Sequence, residues 1–338
     1  MTGLRQLDIF GDCPPHETFD PSDYDRYVVF FSGGKDSIAC VLTLLEMNIP
    51  ADKIELHHHI VDGREGSRLM DWPVTTDYCR AFARALNLPI YFSWRDGGFE
   101  REMLRNQART GPVHFETPDG VKTVGGIRGK LGTRLKFPQV TADLSRRWCS
   151  AYLKIDVGAA LIVNQERFQH GRTLVVTGER AEESRARAKY RQDEPHRTDR
   201  RSGKRVLRHV HHWRPIHSLS EDEIWCMLAK HRIVAHPAYY CGFARASCLS
   251  CIFGSKNQWA TLMKFMPEHF HRIAHYENEF GLTIHRQLSV SEQASAGTPY
   301  EIEDHYLRMA MSDRYEGEIF TDNWRMPAGA FGENCGPV

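Results

Sequence analysis

The feature that most constrains this chain is the step from Tyr27 to Met47. There an apolar run, Tyr-Val-Val-Phe-Phe, meets Ser32-Gly33-Gly34-Lys35-Asp36-Ser37 and passes straight into a stretch with helix-forming content and almost no polar face. A buried strand that turns through two glycines into a helix leaves backbone N–H groups without partners, and the helix dipole reinforces their pull on an anion. Gly33 and Gly34 let the backbone approach a ligand closely and adopt conformations that a β-carbon forbids. Lys35 adds a point charge, and Ser32 and Ser37 add hydroxyls. The spacing is not that of a Walker A loop, which has four residues between its glycines before Gly-Lys-Ser/Thr.

The strand-then-helix pattern repeats. Lys53 to Val61 reads as a second strand, Val74 to Leu88 as an amphipathic helix, Pro89 to Trp94 as a third strand and Arg172 to Thr177 as a fourth. Alternation of this kind implies parallel pairing through right-handed crossovers, and so an open, mostly parallel α/β sheet with flanking helices and a ligand at the strands' carboxyl ends. Residues 110–140, with Gly, Thr and three prolines, read as an inserted loop or hairpin. Residues 180–212, rich in Arg, Lys and His, read as a mobile surface segment. Beyond them, Ser220 with Glu223 forms a capping box for a helix over Glu221 to His231, and further helices are expected over Gln258 to Phe280 and Glu301 to Met311. The expected organisation is an N-terminal extension (1–25), a nucleotide-binding α/β domain (26–215) and a mainly helical, cysteine-bearing region (216–338).

The run Ser32 to Ser37 resembles the PP-loop of the ATP pyrophosphatase and phosphoadenylyl-sulfate reductase superfamily, with six contiguous matching positions. The resemblance implies an adenine nucleotide α-hydrolase-like fold in which the loop cradles the phosphates of ATP, with Mg²⁺, or of an adenylated sulfate. In the ATP-using branch, attack at the α-phosphate gives an adenylate and pyrophosphate. Asp62, at the end of the second strand, falls where such proteins carry an acid near Mg²⁺ or ribose, and Gly178-Glu179-Arg180 resembles their Gly-x-Arg segment, whose Arg faces phosphate or substrate. Trp213-Arg214-Pro215-Ile216 resembles a segment that precedes a helix in the same proteins. Lys35, Asp36 and Arg180 are therefore the expected catalytic residues, and Ser32, Gly33, Gly34, Lys35, Asp36, Ser37, Asp62 and Gly178 the expected nucleotide contacts.

Cys241, Cys248 and Cys251 are separated by six and then two residues, and small neighbours suit a loop wrapped around a metal. Around Cys149, the stretch Arg146 to Ile155 resembles the segment that delivers the first cluster cysteine in iron–sulfur members of the superfamily, although Trp148 stands where the assimilatory reductases have a second cysteine. One distant cysteine plus a spaced three resembles the DNA phosphorothioation branch, which implies a [4Fe–4S] cluster on Cys149, Cys241, Cys248 and Cys251. Thiolate chemistry alone allows zinc equally, and a metal-free redox pair is a further possibility. Cys40, Cys79 and Cys226 fall within expected helices and read as small core residues. The tail Glu333-Asn334-Cys335-Gly336 shares only Cys-Gly with the Glu-Cys-Gly-x-His motif of the reductases.

Lys and Arg total 44 against 43 for Asp and Glu, a formal charge of +1, so affinity for a polyanion has to be local. The densest cationic stretch is Arg180 to Arg214, with Arg185, Arg187, Lys189 and Arg191 at alternate positions, which reads either as a nucleic-acid contact or as a solvated loop balanced by Glu182 and Glu183. The histidine run His57-His58-His59 lies in an expected strand, so its side chains alternate between faces and do not converge on one ion. His209, His211 and His212 form a second run. A polar N-terminus, no apolar run of membrane-spanning length and nine cysteines in an odd count suggest a cytoplasmic protein with no membrane partner. The resemblance implies an adenylating sulfurtransferase acting on nucleic acid, with DNA leading and a cysteine desulfurase as sulfur donor. The alternatives are a reductase of an adenylylated sulfate fed by thioredoxin, a tRNA thiolase, and a nucleotide-binding module without turnover.

Overall fold

A computed structural model describes residues 19–333 apart from 67, 142 and 204–206. Eight strands form one sheet: β1 Arg26–Phe30, β2 Ile54–Ile60, β3 Ile90–Arg95, β4 Val113–Thr117, β5 Gly120–Val124, β6 Arg172–Val176, β7 Asp193–Pro195 and β8 His209–Trp213. Their order is β5-β4-β3-β2-β1-β6-β8-β7. The five central strands, β3, β2, β1, β6 and β8, run parallel, with Val28 opposite both Glu55 and Val175. β4, β5 and β7 add antiparallel edges. The α/β class expected from the alternating pattern is the one observed.

Helices α1 Lys35–Glu46, α2 Thr75–Ala85 and α3 Gly98–Met103 follow the first three strands. Next come α4 Trp148–Ser150, a π-helical turn Ala151–Ile155 and α5 Asp156–Val163. The C-terminal part is helical: α6 Glu221–Lys230, α7 Pro237–Tyr240, α8 Lys256–Phe265, α9 Pro267–Phe280, α10 Val290–Ser295 and α11 Asp304–Ala310. Ser220 caps α6 in the expected box with Glu223. Pro267 separates α8 from α9, because its ring cannot continue the preceding helix but suits a first-turn position.

Strand alternation divides the core. Tyr27, Val29, Phe31 and Leu56 join a large cluster with Ile38, Leu42 and Phe82 of α1 and α2, which continues through Trp225, Tyr239 and Phe270. Val28, Val175 and Val210 pack instead against Val157, Leu161 and Ile162 of α5. The layout puts the C-terminal edges of β1, β2, β6 and β8 side by side, as a ligand site at parallel strand ends requires.

One inserted segment matches expectation and the other differs. Residues 110–140 do form a hairpin, and it extends the sheet through β4. Residues 180–212, expected to be a mobile surface segment, instead contribute β7 and much of β8, the fifth parallel strand. Only Val210 and Trp213 in β8 are apolar, so the periodicity was hidden. The strand is held by β6 on one side, while His211 and His212 meet Asp193 and Glu194 of β7 on the other. No helix is long and apolar enough to cross a membrane among the described residues.

Candidate nucleotide site and its cysteine flank

The loop after β1 is held by its own serines. Ser37 Oγ donates to the Gly34 carbonyl at 2.9 Å and accepts from Ser32 N at 3.2 Å, while Ser32 Oγ accepts from Gly34 N at 3.3 Å. Gly33 has φ +78°, and a β-carbon there would sit 3.0 Å from Cys79 Sγ. The turn therefore requires glycine for conformation and for packing against α2. Lys35 N donates to the hydroxyl of Tyr239, 204 residues away, at 3.0 Å.

Arg180 arrives from beyond β6 and meets Asp36 directly, with Nε donating to Oδ1 at 2.7 Å. A β-carbon on Gly178 would lie 3.0 Å from the Asp36 carbonyl, so the close approach of the two segments depends on that glycine. Lys35 Nζ is 3.3 Å from Asp36 Oδ2 and 3.3 Å from Glu221 Oε1, and Glu221 also faces Arg180 at 4.0 Å. Glu221, at the start of α6, was singled out in the sequence only as a helix residue. Burial opposes charge on the Lys35 ammonium, but Asp36, Tyr239 and Glu221 outweigh it and the net shift is upward. Burial likewise opposes charge on Asp36, yet Lys35 and Arg180 hold its carboxyl below the usual range. The result is two basic side chains and two carboxyls in mutual contact beside a loop whose helix dipole favours an anion.

A cavity of about 640 Å³ opens here. Ser32, Gly34, Lys35, Asp36, Ser37, Gly178 and Tyr239 form its phosphate-loop wall. Asp62 is not among the lining residues. Its Oδ2 accepts from the amides of Leu69, Met70 and Asp71 at 2.8–2.9 Å, which shapes the bend after β2. Asp71, which accepts from Asp62 N, is the acid that reaches the cavity wall. Burial raises the carboxyls of both, and for Asp62 the neighbouring Asp71 adds to the effect.

Another wall carries His57, His59, His196 and His212. The strand period brings His57 and His59 to one face, and β8 with the residues after β7 brings the other two. The sequence runs held this pattern, but only the position of β8 could join them. His59 Nδ1 lies 2.7 Å from Ser93 Oγ and His212 Nε2 lies 2.7 Å from Thr177 Oγ1. Burial holds His59 well below its ordinary value and His212 and His196 down at about 3, so these three imidazoles are uncharged at neutral pH. His58 alternates to the other face of β2, with Nδ1 2.9 Å from the Phe31 carbonyl, and it too lines the cavity.

The four candidate metal ligands do not behave alike. Burial and then Cys251 push the Cys149 thiol up to about 11. Cys248 is raised well above the ordinary thiol value by burial, with Lys154 opposing and Cys251, Asp71 and Cys149 adding. Cys149, Cys248 and Cys251 thus share one electrostatic neighbourhood. Cys241, fully buried at the end of α7, is pushed up to about 12 by burial alone. No three of the four sulfurs lie within 4.8 Å of one another. The sulfur donors present are of the kind that holds an iron–sulfur cluster or zinc. Among the described residues, the group at mononuclear spacing is instead Glu65, Asp96 and His114 at the β3–β4 edge. There Glu65 already accepts from Trp94 Nε1 and two amides, and Asp96 pairs with Arg101. Cys335 lies outside the described residues.

In front of the cysteine group, Arg147 and Lys154 line the cavity and have no ion-pair partner among the described residues. Of the basic segment, Arg187 lines the cavity and pairs with Glu183, whereas Arg185, Lys189 and Arg191 are exposed. Cys40 and Cys79 are buried as expected of core residues, but Cys226 is exposed on α6, because its helical face points outward.

Comparison with known proteins gives two matches. The phosphoadenosine phosphosulfate reductase domain matches residues 153–253, which run from the π turn through β6, Arg180, β8, α6 and α7 to the last cysteine pair. Over 265 residues the chain is 25% identical to an "uncharacterized 37.8 kDa protein in gpa 5'region" of Escherichia phage 186, covering 74% of each. The domain match supports a place in the PP-loop and phosphoadenylyl-sulfate reductase superfamily, with nucleotide-binding, sulfur-related chemistry in the broad sense.

Proposed function

We propose that the protein is an ATP-dependent adenylating sulfurtransferase that activates a nucleic-acid oxygen, with DNA phosphorothioation as the leading reaction. The observation that carries this reading is the double character of the cavity. One wall is the phosphate loop with Lys35 and Arg180 just behind it, and another holds the unpaired cations Arg147 and Lys154 in front of the Cys149 group. A second anionic substrate and a sulfur source thus have places beside the nucleotide.

In this reading the loop amides and Lys35 hold the β- and γ-phosphates of Mg-ATP. The acceptor oxygen attacks the α-phosphorus, a new P–O bond forms, and the bond to the bridging oxygen breaks to release pyrophosphate. Lys35 and Arg180 stabilise the charge that gathers on the leaving group. A persulfide sulfur from a cysteine desulfurase then displaces the adenylated oxygen, AMP leaves, and a thiol reductant cleaves the remaining S–S bond. A [4Fe–4S] cluster on Cys149, Cys241, Cys248 and Cys251 would supply redox chemistry or order to this wall when bound. Exposed Arg185 and Arg191, adjacent in the chain to the cavity-lining Arg187 and Tyr190, would give a polyanion cations to pair with.

A second reading draws on the matched domain: reduction of an adenylylated sulfate, with release of sulfite. Anaerobic protein is incubated with ATP and DNA, or with adenylylated sulfate and thioredoxin. Pyrophosphate release that needs ATP and is reduced at least about tenfold in Lys35→Ala supports the sulfurtransferase. Sulfite without ATP use moves the assignment to the reductase, and unchanged turnover in Lys35→Ala removes the loop from the reaction.

A further inference from the structure

Tyr239 belongs to the C-terminal part of the chain yet ends on the phosphate loop. His236 caps α7, its Nδ1 accepting from Ala238 N at 3.1 Å, and Gly329 N donates to the Tyr239 carbonyl at 2.7 Å. A β-carbon on Gly329 would come within 2.8 Å of that carbonyl, so the C-terminal segment is fitted tightly against α7. The ring stands edge-on to Trp225, with centroids 5.2 Å apart, and the side chain is buried. These contacts leave the phenol little freedom. Its oxygen lies 3.2 Å from where a β-carbon on Gly34 would be, and it accepts from Lys35 N at 3.0 Å.

The hydroxyl has therefore used one lone pair on the loop. Its own proton has no acceptor among the described residues, although the residue lines the cavity between Gly34 and Arg245. A buried hydroxyl held in one place without an acceptor pays a desolvation cost that a ligand oxygen removes. A phenol with an ordinary value near 10 keeps that proton at neutral pH. Accepting the Lys35 amide also polarises the O–H bond and makes it a better donor.

We propose that Tyr239 is a phosphate-binding residue that the C-terminal region adds to the loop, donating its hydroxyl proton to a phosphate oxygen of the bound nucleotide. The proposal rests on the nucleotide reading of the loop. It makes Tyr239 a contact to the ligand as well as a prop for the backbone, and it means that the loop alone is an incomplete site. The ligand class is a nucleoside polyphosphate. Adenosine, with no phosphate, has nothing for the hydroxyl to hold.

The test is calorimetric binding of ATP and of adenosine to the full chain and to the Tyr239→Phe and Lys35→Ala variants. Phenylalanine keeps the ring against Trp225, and a thermal melt checks that the variant is folded. Tyr239→Phe is expected to weaken ATP about tenfold or more and to leave adenosine unchanged. Unchanged or tighter ATP binding in Tyr239→Phe, while Lys35→Ala loses it, overturns the role of Tyr239 and keeps the nucleotide site. Unchanged ATP binding in both variants overturns the site and the proposal together. Fluorinated tyrosine at position 239, assayed where the phenol stays neutral, separates a donor from a mere prop. Fluorine strengthens the donor and weakens the acceptor, so tighter ATP binding supports the proposal and weaker binding overturns it.

Discussion

Asp36 and Arg180, 144 residues apart in the chain, are joined by a 2.7 Å hydrogen bond from the Arg180 guanidinium to the Asp36 carboxylate. The pair ties the start of α1 to the turn after β6, and so ties the phosphate loop to the neighbouring parallel strand. Lys35 and Glu221, themselves 3.3 Å apart, close a ring of charges with it. Removing one member leaves a charge in a poorly solvated place with its partner gone.

An energetic link of this kind is measurable by a double-mutant cycle. Asp36→Asn and Arg180→Gln, alone and together, are expected to show a coupling of about 0.5–3 kcal/mol in urea unfolding. Additive effects would show that the contact carries no energy of its own.

For the cysteines, iron and acid-labile sulfide are measured on anaerobically purified variants. Cys149→Ser, Cys241→Ser, Cys248→Ser and Cys251→Ser should each lose most of both. Full retention in any one variant would remove that cysteine from the ligand set. One zinc and no iron in the parent protein would replace the cluster.

The pH dependence of stability has a defined sign. His236 is fully buried, and burial, then His58, lowers it to about 3. His58 and His269 are lowered to about 4, in each case mainly by burial. In the unfolded chain a histidine titrates near 6.5, so between about 6.5 and the folded values the unfolded state binds more protons and stability falls as pH falls. At pH 5 each such imidazole withdraws at most about 2 kcal/mol relative to neutral pH. The melting temperature should drop from pH 7 to pH 5, and His236→Asn, which keeps an oxygen acceptor for the Ala238 amide, should reduce that slope. An unchanged slope in the variant would show that His236 titrates normally in the folded protein.

What the sequence determined by itself is whatever is contiguous along the chain. The strand, two glycines, lysine and helix between Tyr27 and Met47 encode the loop locally, since backbone conformation and serine hydrogen bonds act over a few residues. The same holds for the Ser220 capping box and for the alternation that implies a parallel sheet. Tertiary structure alone decided the rest. β8 is a strand because β6 and β7 satisfy its backbone, although its side chains are mostly polar. His57 and His59 meet His196 and His212 only because that strand lies where it does. Asp62 turns to its own loop and leaves the wall to Asp71, and Tyr239 and Glu221 reach the phosphate loop. These outcomes depend on which way a side chain points once crossovers and helix packing have placed its backbone, and residue spacing carries no record of that direction.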